Sequence, residues 1–331
     1  MDMKSIEAIG ICDKIIGDYL GVKSHEEVLI CVDPETDTRM TEAMAAAAKK
    51  YGKDYTVVMI PVRDKESATT IPKVLEKAME GCQVYIGMTR SSGAAVYNSK
   101  MKALLVEKKI RESSMVLRDI DNYIKGGALA DYHALYEEGK RLASIWTGKD
   151  KFHLTTPAGT DLRADMIHMD PIIECGIARE PGQSMAFSDG EVSLGPVEGT
   201  MEGTLVIDGP MCYYGLPAQP IQLKIEKGRV VDILGGDPRI VKELETLFKE
   251  VKNSDNIAEI GIGLNPKSLF NGDFEEEKKA RGTVHLALGN GVYYGQSVES
   301  QVHIDVVLYQ PTVRFDGEVI VESGKVIVLD K

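Results

Sequence analysis

Residues 280–308 read ARGTVHLALGNGVYYGQSVESQVHIDVVL, and the folding of this stretch decides the architecture of the second half of the chain. It holds two short apolar runs, residues 284–288 (VHLAL) and 302–306 (VHIDV), separated by the turn formers Gly289-Asn290-Gly291 and Gly295. Each run reads as a buried strand. Strand side chains alternate between faces, so His303 and Asp305 project to one side and Val302, Ile304 and Val306 to the other. If the two runs pair as neighbours, His285 joins His303 and Asp305 in one small volume. Two imidazoles and a carboxylate suit a first-row metal with open positions. The plainer alternative is a pair of core histidines, each satisfied by one hydrogen bond. Against it stands Asp305, because burying a carboxylate costs several kcal/mol unless it is paired or metal-bound.

Working outward, the whole chain has 331 residues, 43% hydrophobic and 27% charged, with a net charge of −12. That length suits two domains, each burying its own core. The acidic balance argues against nucleic acid and anionic membranes as partners. No apolar run approaches the roughly 20 residues that span a bilayer, and the N-terminal segment lacks the basic-then-apolar order of a signal peptide. The five cysteines, Cys12, Cys31, Cys82, Cys175 and Cys212, are scattered and odd in number. They read as reduced, buried thiols, which places the protein in the cytoplasm.

The first half alternates in type. Strands are expected at residues 27–32, 55–60, 82–88 and 114–117, and helices at 38–51, 71–80, 98–109 and 121–146, the last broken at Gly126-Gly127. This pattern predicts an α/β fold whose N-terminal domain, residues 1–148, is a doubly wound parallel sheet. The loop after the first strand carries Asp33, Glu35 and Asp37 and no glycine, so it repels phosphate, and no nucleotide-binding glycine motif follows any strand. The domain therefore reads as a scaffold or gate. Arg90, in the loop 89–93, is either a carboxylate anchor or a solvated arginine. From residue 149 to 331, short β-like runs separated by Gly and Pro, with one helix at 238–251, predict a mostly antiparallel α+β metal-binding domain. Hairpins with x-Gly turns are expected at residues 224–231, 313–320 and 322–327.

Glu191 follows a turn in SDGEVSLGP, and Glu259 sits in the β-like run IAEIGIG, where a lone carboxylate is costly to bury. Glu198 and Glu202 are either turn acids or cavity-lining acids. Together GEVSLGPVEGTMEGTLVID, IAEIGIGLNP, EEEKKARGTVHLALGN and SQVHID resemble the thermophilic aminopeptidase T family of metallopeptidases, over most of residues 183–313. The resemblance implies a pair of divalent ions (zinc, cobalt or manganese) held by Glu191, Glu259, His285, His303 and Asp305, in a homodimer. It also implies a hydrolase cleaving N-terminal amino acids or small amides from a small-molecule or short-peptide substrate. In that chemistry Glu259 moves a proton and Tyr293 or Tyr294 stabilises the oxyanion. The family tyrosine lies seven residues after the histidine, where this chain has Val292, so Tyr293 or Tyr294 serves only with a local shift. A second branch that looks similar, the dihydroxypyridine ring-cleaving dioxygenases, implies one ferrous ion on His285, His303 and Asp305. Chain length favours the dioxygenase; retention of both Glu191 and Glu259 favours the hydrolase, which is the preferred expectation.

Overall fold

The computed structural model describes residues 3–64, 70–90 and 97–329. From the N-terminus come α1 (Met3–Lys14), β1 (Glu27–Val32), α2 (Thr38–Tyr51), β2 (Asp54–Met59), α3 (Lys73–Met79), β3 (Val84–Gly87), α4 (Ser99–Lys108), β4 (Arg111–Ser114), α5 (Ile120–Ile124) and α6 (Tyr132–Trp146). Then follow β5 (Lys151–Thr155), β6 (Asp161–Asp165), β7 (Ile172–Glu174), β8 (Ser184–Ala186), β9 (Glu191–Leu194), β10 (Glu202–Ile207), β11 (Ile221–Glu226) and β12 (Arg229–Gly235). The chain closes with α7 (Pro238–Glu250), β13 (Ile257–Gly263), α8 (Phe274–Glu277), β14 (Val284–Gly289), β15 (His303–Leu308), β16 (Thr312–Phe315), β17 (Glu318–Glu322) and β18 (Lys325–Val326). These form two compact units, Met1–His133 with Glu174–Asp189, and Ala134–Ile173 with Gly190–Lys331. The sequence boundary was drawn at residue 148.

The first unit is built on a parallel sheet of order β2-β1-β3-β4-β8. Its interior strand β1, between β2 and β3, is an apolar run buried along nearly its whole length, as a strand covered on both faces must be. Helix α2 begins where the Asp37 side chain accepts from the Arg39 N–H, and it buries Met40, Ala43, Met44, Ala47 and Ala48, one stripe at helical spacing. The acids of the following loop have structural work: Asp33 accepts the N–H groups of Glu35, Thr36 and Arg90. Arg90 itself lies 3.3 Å from Asp119 and 4.0 Å from Glu35. The remainder of its expected loop, Ser91 to Gly93, lies outside the described residues. Strand β8 was not foreseen. Three residues, Ser-Met-Ala, carry no periodicity, and only pairing with β4 makes them a strand.

The second unit holds an eight-stranded antiparallel sheet of order β12-β11-β10-β6-β5-β16-β17-β18, and a second sheet of order β15-β14-β13-β9-β7. All three expected hairpins are present. Their turns, Lys227-Gly228, Asp316-Gly317 and Ser323-Gly324, have positive φ at both positions, the geometry that matches the twist of the flanking strands. Strands β13, β14 and β15 are buried at every residue. The mixed α/β class, with a parallel sheet first and antiparallel sheets after it, is therefore the expected one. Among the described residues no helix is long and apolar enough to cross a membrane.

Candidate metal centre

Four neighbouring strands, β15-β14-β13-β9, carry the five candidate donors. Residues directly opposite in an antiparallel pair share a face. The register sets Gly289 opposite His303, Ala287 opposite both Asp305 and Glu259, Gly261 opposite His285, and Gly263 opposite Glu191. Every donor is thus flanked on its own face by a glycine or an alanine. Those small residues leave the volume into which the large polar side chains lean. Glu259 reaches this face because the β13–β14 register shifts between Ile257 and Glu259, and a bulge of this kind re-aims the side chains beyond it.

The donors converge. His285 Nε2 lies 3.1 Å from Glu259 Oε1 and 3.4 Å from Glu191 Oε2, and His303 Nε2 lies 3.1 Å from Glu259 Oε2 and 3.2 Å from Asp305 Oδ1. Glu259 therefore holds one imidazole on each oxygen. Two groups have ligand atoms close enough for one ion, Glu191 with Glu259 and His285, and Glu259 with His303 and Asp305, each set within 4.8 Å. The set of His285, His303 and Asp305 expected for a single ion is not among the groups found in the described residues. Instead each imidazole falls in a different group, joined through Glu259.

Orientation is fixed from behind. His303 Nδ1 lies 2.8 Å from the Asn290 carbonyl oxygen, which turns Nε2 toward the carboxylates. The Tyr294 ring stacks on the His303 ring at 5.5 Å and is buried, while Tyr293 meets Tyr294 edge-on at 5.0 Å and is half-buried. The expected tyrosines thus adjoin the centre, Tyr294 directly. Glu198 and Glu202 do not. Glu198 accepts from the Ser297 backbone and Glu202 from the Lys227 N–H, so both are turn acids.

Sequence reasoning missed two residues that touch the donors. Lys278 Nζ lies 2.7 Å from Asp305 Oδ2, and Lys279 Nζ lies 2.6 Å from Glu191 Oε1. Both belong to EEEKK, a run of five charges that looks solvated and is buried throughout. Glu276 accepts the Leu269 N–H, and Glu277 accepts the Gly272 N–H and the Tyr309 hydroxyl, so two of its acids have partners elsewhere. A cavity of about 600 Å³ beside them, lined in part by Phe270, Glu277, Arg281 and Tyr309, touches none of the five donors.

Burial works against charge on Glu259, but the imidazoles facing it, His285 foremost, outweigh burial and hold its pKa down at about 2. Burial likewise opposes protonation of His303, yet its contacts with Asp305 and Glu259 lift the ring to about 10. His285 is raised against the same penalty by the charges of Glu191 and Glu259. Asp305 is held well below the carboxylate range, burial being outweighed by Lys278 and then His303. A cation fits this donor set. Asp305 Oδ1 is buried 3.2 Å from His303 Nε2 and has no hydrogen-bond partner, so a positive centre beside it would satisfy it. A metal needs the neutral ring, so its binding must expel the His303 proton. Affinity should therefore rise with pH up to about 10, by roughly tenfold per unit for each proton released. Calorimetry of zinc binding in buffers of different ionisation enthalpy counts those protons, and a count of zero contradicts the assignment.

Glycine at 261 is a packing requirement. A Cβ there would sit 2.1 Å from His285 Cε1 and 2.4 Å from its Nε2. We expect Gly261→Ala to cost about 1–3 kcal/mol through overpacking and to weaken metal binding by turning the ring. Thermal melts with and without zinc read both effects; unchanged melts and unchanged affinity would show that the ring has room to move.

Fold and donor set together define a mixed α/β protein whose antiparallel sheet gathers carboxylates and imidazoles able to hold a metal ion. The family model described as NicX: 2,5-dihydroxypyridine 5,6-dioxygenase matches residues 18–328, and the chain belongs to that family. A curated 2,5-dihydroxypyridine 5,6-dioxygenase from Pseudomonas putida is 26% identical over 188 residues, 53% of this chain and 53% of that protein, so the match spans about half of the relative. Two solved structures share the fold. The 2,5-dihydroxypyridine dioxygenase of Pseudomonas putida aligns with a TM-score of 0.81 at 18% identity, over 98% of this chain and 97% of that one. Wild-type AmpT of Thermus thermophilus aligns at 0.67 and 14% identity, over 97% and 99%. The likeness to AmpT is one of fold. Membership of a dioxygenase family overturns the hydrolase expectation, together with its peptidase activity and peptide substrate. The physical reason for the error is that carboxylates and imidazoles in this order serve both chemistries, and the motifs quoted above name the donors without naming the reaction.

Proposed function

We propose that the protein is a metal-dependent ring-cleaving dioxygenase acting on a dihydroxypyridine-like aromatic, with ferrous iron as its metal. The observation that carries this reading is the match of the dioxygenase family model across nearly the entire chain. The donors proposed to hold the metal come from Glu191, Glu259, His285, His303 and Asp305, all buried. When bound, ferrous iron would supply the one-electron chemistry that couples dioxygen to an electron-rich hydroxylated ring.

The residues of the chain do the rest. Glu259 and the Asn290 carbonyl hold the His303 ring between them, so its Nε2 cannot swing away. Lys278 occupies the second oxygen of Asp305 and leaves Oδ1 facing inward. Buried apolar strands on the opposite face keep bulk water from the donors, which strengthens each electrostatic contact. Tyr294, stacked on His303, presents an aromatic wall beside the centre. The expected homodimer remains a proposal, read by the mass in solution.

The test is oxygen uptake by protein loaded anaerobically with ferrous iron and then given 2,5-dihydroxypyridine. One dioxygen consumed per ring opened, with loss of the ring's ultraviolet absorbance, is the expected result. No uptake with this compound or with other dihydroxylated pyridines would overturn the proposal.

A further inference from the structure

Beside α8 lies the cavity of about 600 Å³ that none of the five donors touches, a volume of the size that takes a small molecule. Leu216 and Phe270 line it and are 54% and 64% exposed, so each presents apolar surface that folding has left in water. The Phe270 ring meets that of Tyr309 at 6.2 Å and an interplanar angle of 55°, and the two form a tilted aromatic wall. Glu277 lines the same cavity and is only 1% exposed.

Buried carboxylates are costly unless a positive charge stands beside them. Glu277 is paired with no ammonium or guanidinium group among the described residues. Its oxygens accept from the Gly272 N–H at 2.5 Å and from the Tyr309 hydroxyl, both neutral donors. Burial and then the charge of Glu277 raise the pKa of Tyr309, so the hydroxyl keeps the proton it donates. The neighbouring cations are engaged elsewhere: Lys278 with Asp305, Lys279 with Glu191, and Arg281, which also lines the cavity, with Glu138 at 2.6 Å. An ionised carboxylate has about four acceptor positions, and two of these are filled.

We infer that this cavity binds a small organic primary ammonium ion, whose N–H groups bond the open acceptor positions of Glu277 while its apolar body lies against Leu216 and the Phe270–Tyr309 pair. A charge-assisted hydrogen bond is about twice as strong as a neutral one, and an aromatic face attracts a cation through its quadrupole. Neither the donors of the metal centre nor oxygenation enters, so the site stands or falls independently of the function proposed above.

Benzylamine is the probe, titrated calorimetrically into the protein as purified, with benzyl alcohol as the uncharged equivalent. Wild-type protein is expected to bind benzylamine saturably, at a Kd of about a millimolar or tighter, and benzyl alcohol far more weakly. Glu277→Gln keeps the shape and removes the charge; it should weaken benzylamine at least about tenfold while its zinc content after dialysis matches the wild type's. Phe270→Ala should weaken it by about threefold. No saturable binding to the wild type, equal affinity for benzyl alcohol, or undiminished binding to a folded Glu277→Gln overturns the inference. If Glu277→Gln does not fold or loses zinc, Phe270→Ala and the benzyl alcohol comparison decide. Tighter binding of Nα-acetyl-lysinamide than of benzylamine would mark the cavity as a socket for a partner protein's lysine and would also overturn it.

Discussion

Replacing Glu259 with glutamine is expected to strip the centre of metal and to lower ring opening by at least about a hundredfold, the upper end of what loss of a ligand's supporting contact costs. The reason lies in its position. Glu259 is the one residue common to both donor groups, and each of its oxygens faces the Nε2 of a different histidine at 3.1 Å. An amide of the same shape keeps the packing but offers one acceptor in place of two, and its NH₂ group meets an imidazole nitrogen that also needs an acceptor. The metal-free protein should lose stability as well. Breaking a buried ion pair while leaving its partner in place costs about 3–5 kcal/mol. Metal analysis, oxygen uptake and thermal melts measure the three effects. Full metal content in Glu259→Gln would remove Glu259 from the centre altogether.

The second large effect is expected at Gln296, which touches no donor. Its buried amide donates from Nε2 to the carbonyl oxygens of Pro196 at 2.9 Å and Ile257 at 3.0 Å, and its Oε1 accepts from Asn256 at 2.9 Å. Those bonds pin the connection between β14 and β15, which carries Tyr294 and the Asn290 carbonyl that orients His303. Gly291 passes so close that a Cβ there would meet Gln296 Oε1 at 2.2 Å. Gln296→Leu takes a donor from the buried Pro196 and Ile257 carbonyl oxygens and leaves Asn256 Nδ2 with the Gly289 carbonyl alone, at about 1–3 kcal/mol for each group left unsatisfied before relaxation. A net loss of about 3 kcal/mol corresponds to a drop of roughly 6–12 °C in melting temperature for a unit of this size. Ring opening should fall with it, because the His303 ring loses its fixed support, and excess iron should restore part of the rate. A variant that melts and turns over like the wild type would mean that the connection is held by other contacts.

The first half was legible because its signals are local. The strand at residues 27–32 and the helix at 38–51 appear with the expected bounds, since an apolar run and an alanine-rich stripe each declare their period within a few residues. The strand expected at 114–117 lies instead at Arg111–Ser114. There Arg111 and Glu112 look exposed by composition but are buried in ion-paired and hydrogen-bonded contacts, Arg111 with Glu26 and Glu112 with Ser184. Charged residues satisfied at long range erase the apolar signal on which strand detection depends. EEEKK hid for the same reason.

By itself the sequence determined that His303 and Asp305 share a face, that His285 lies on a second buried strand, and that x-Gly turns close three hairpins. Each follows from alternation with a period of two or from the backbone needs of a turn, and both act over neighbouring residues. Only the tertiary structure decided that Glu259 holds both imidazoles, that a register shift aims it there, that Gly261 clears room for His285, and that two lysines sit against the carboxylates. Those depend on which strands lie side by side and on charges satisfied by residues far away in the chain. The donors were readable one by one, while the charge around them is a property of the assembled site.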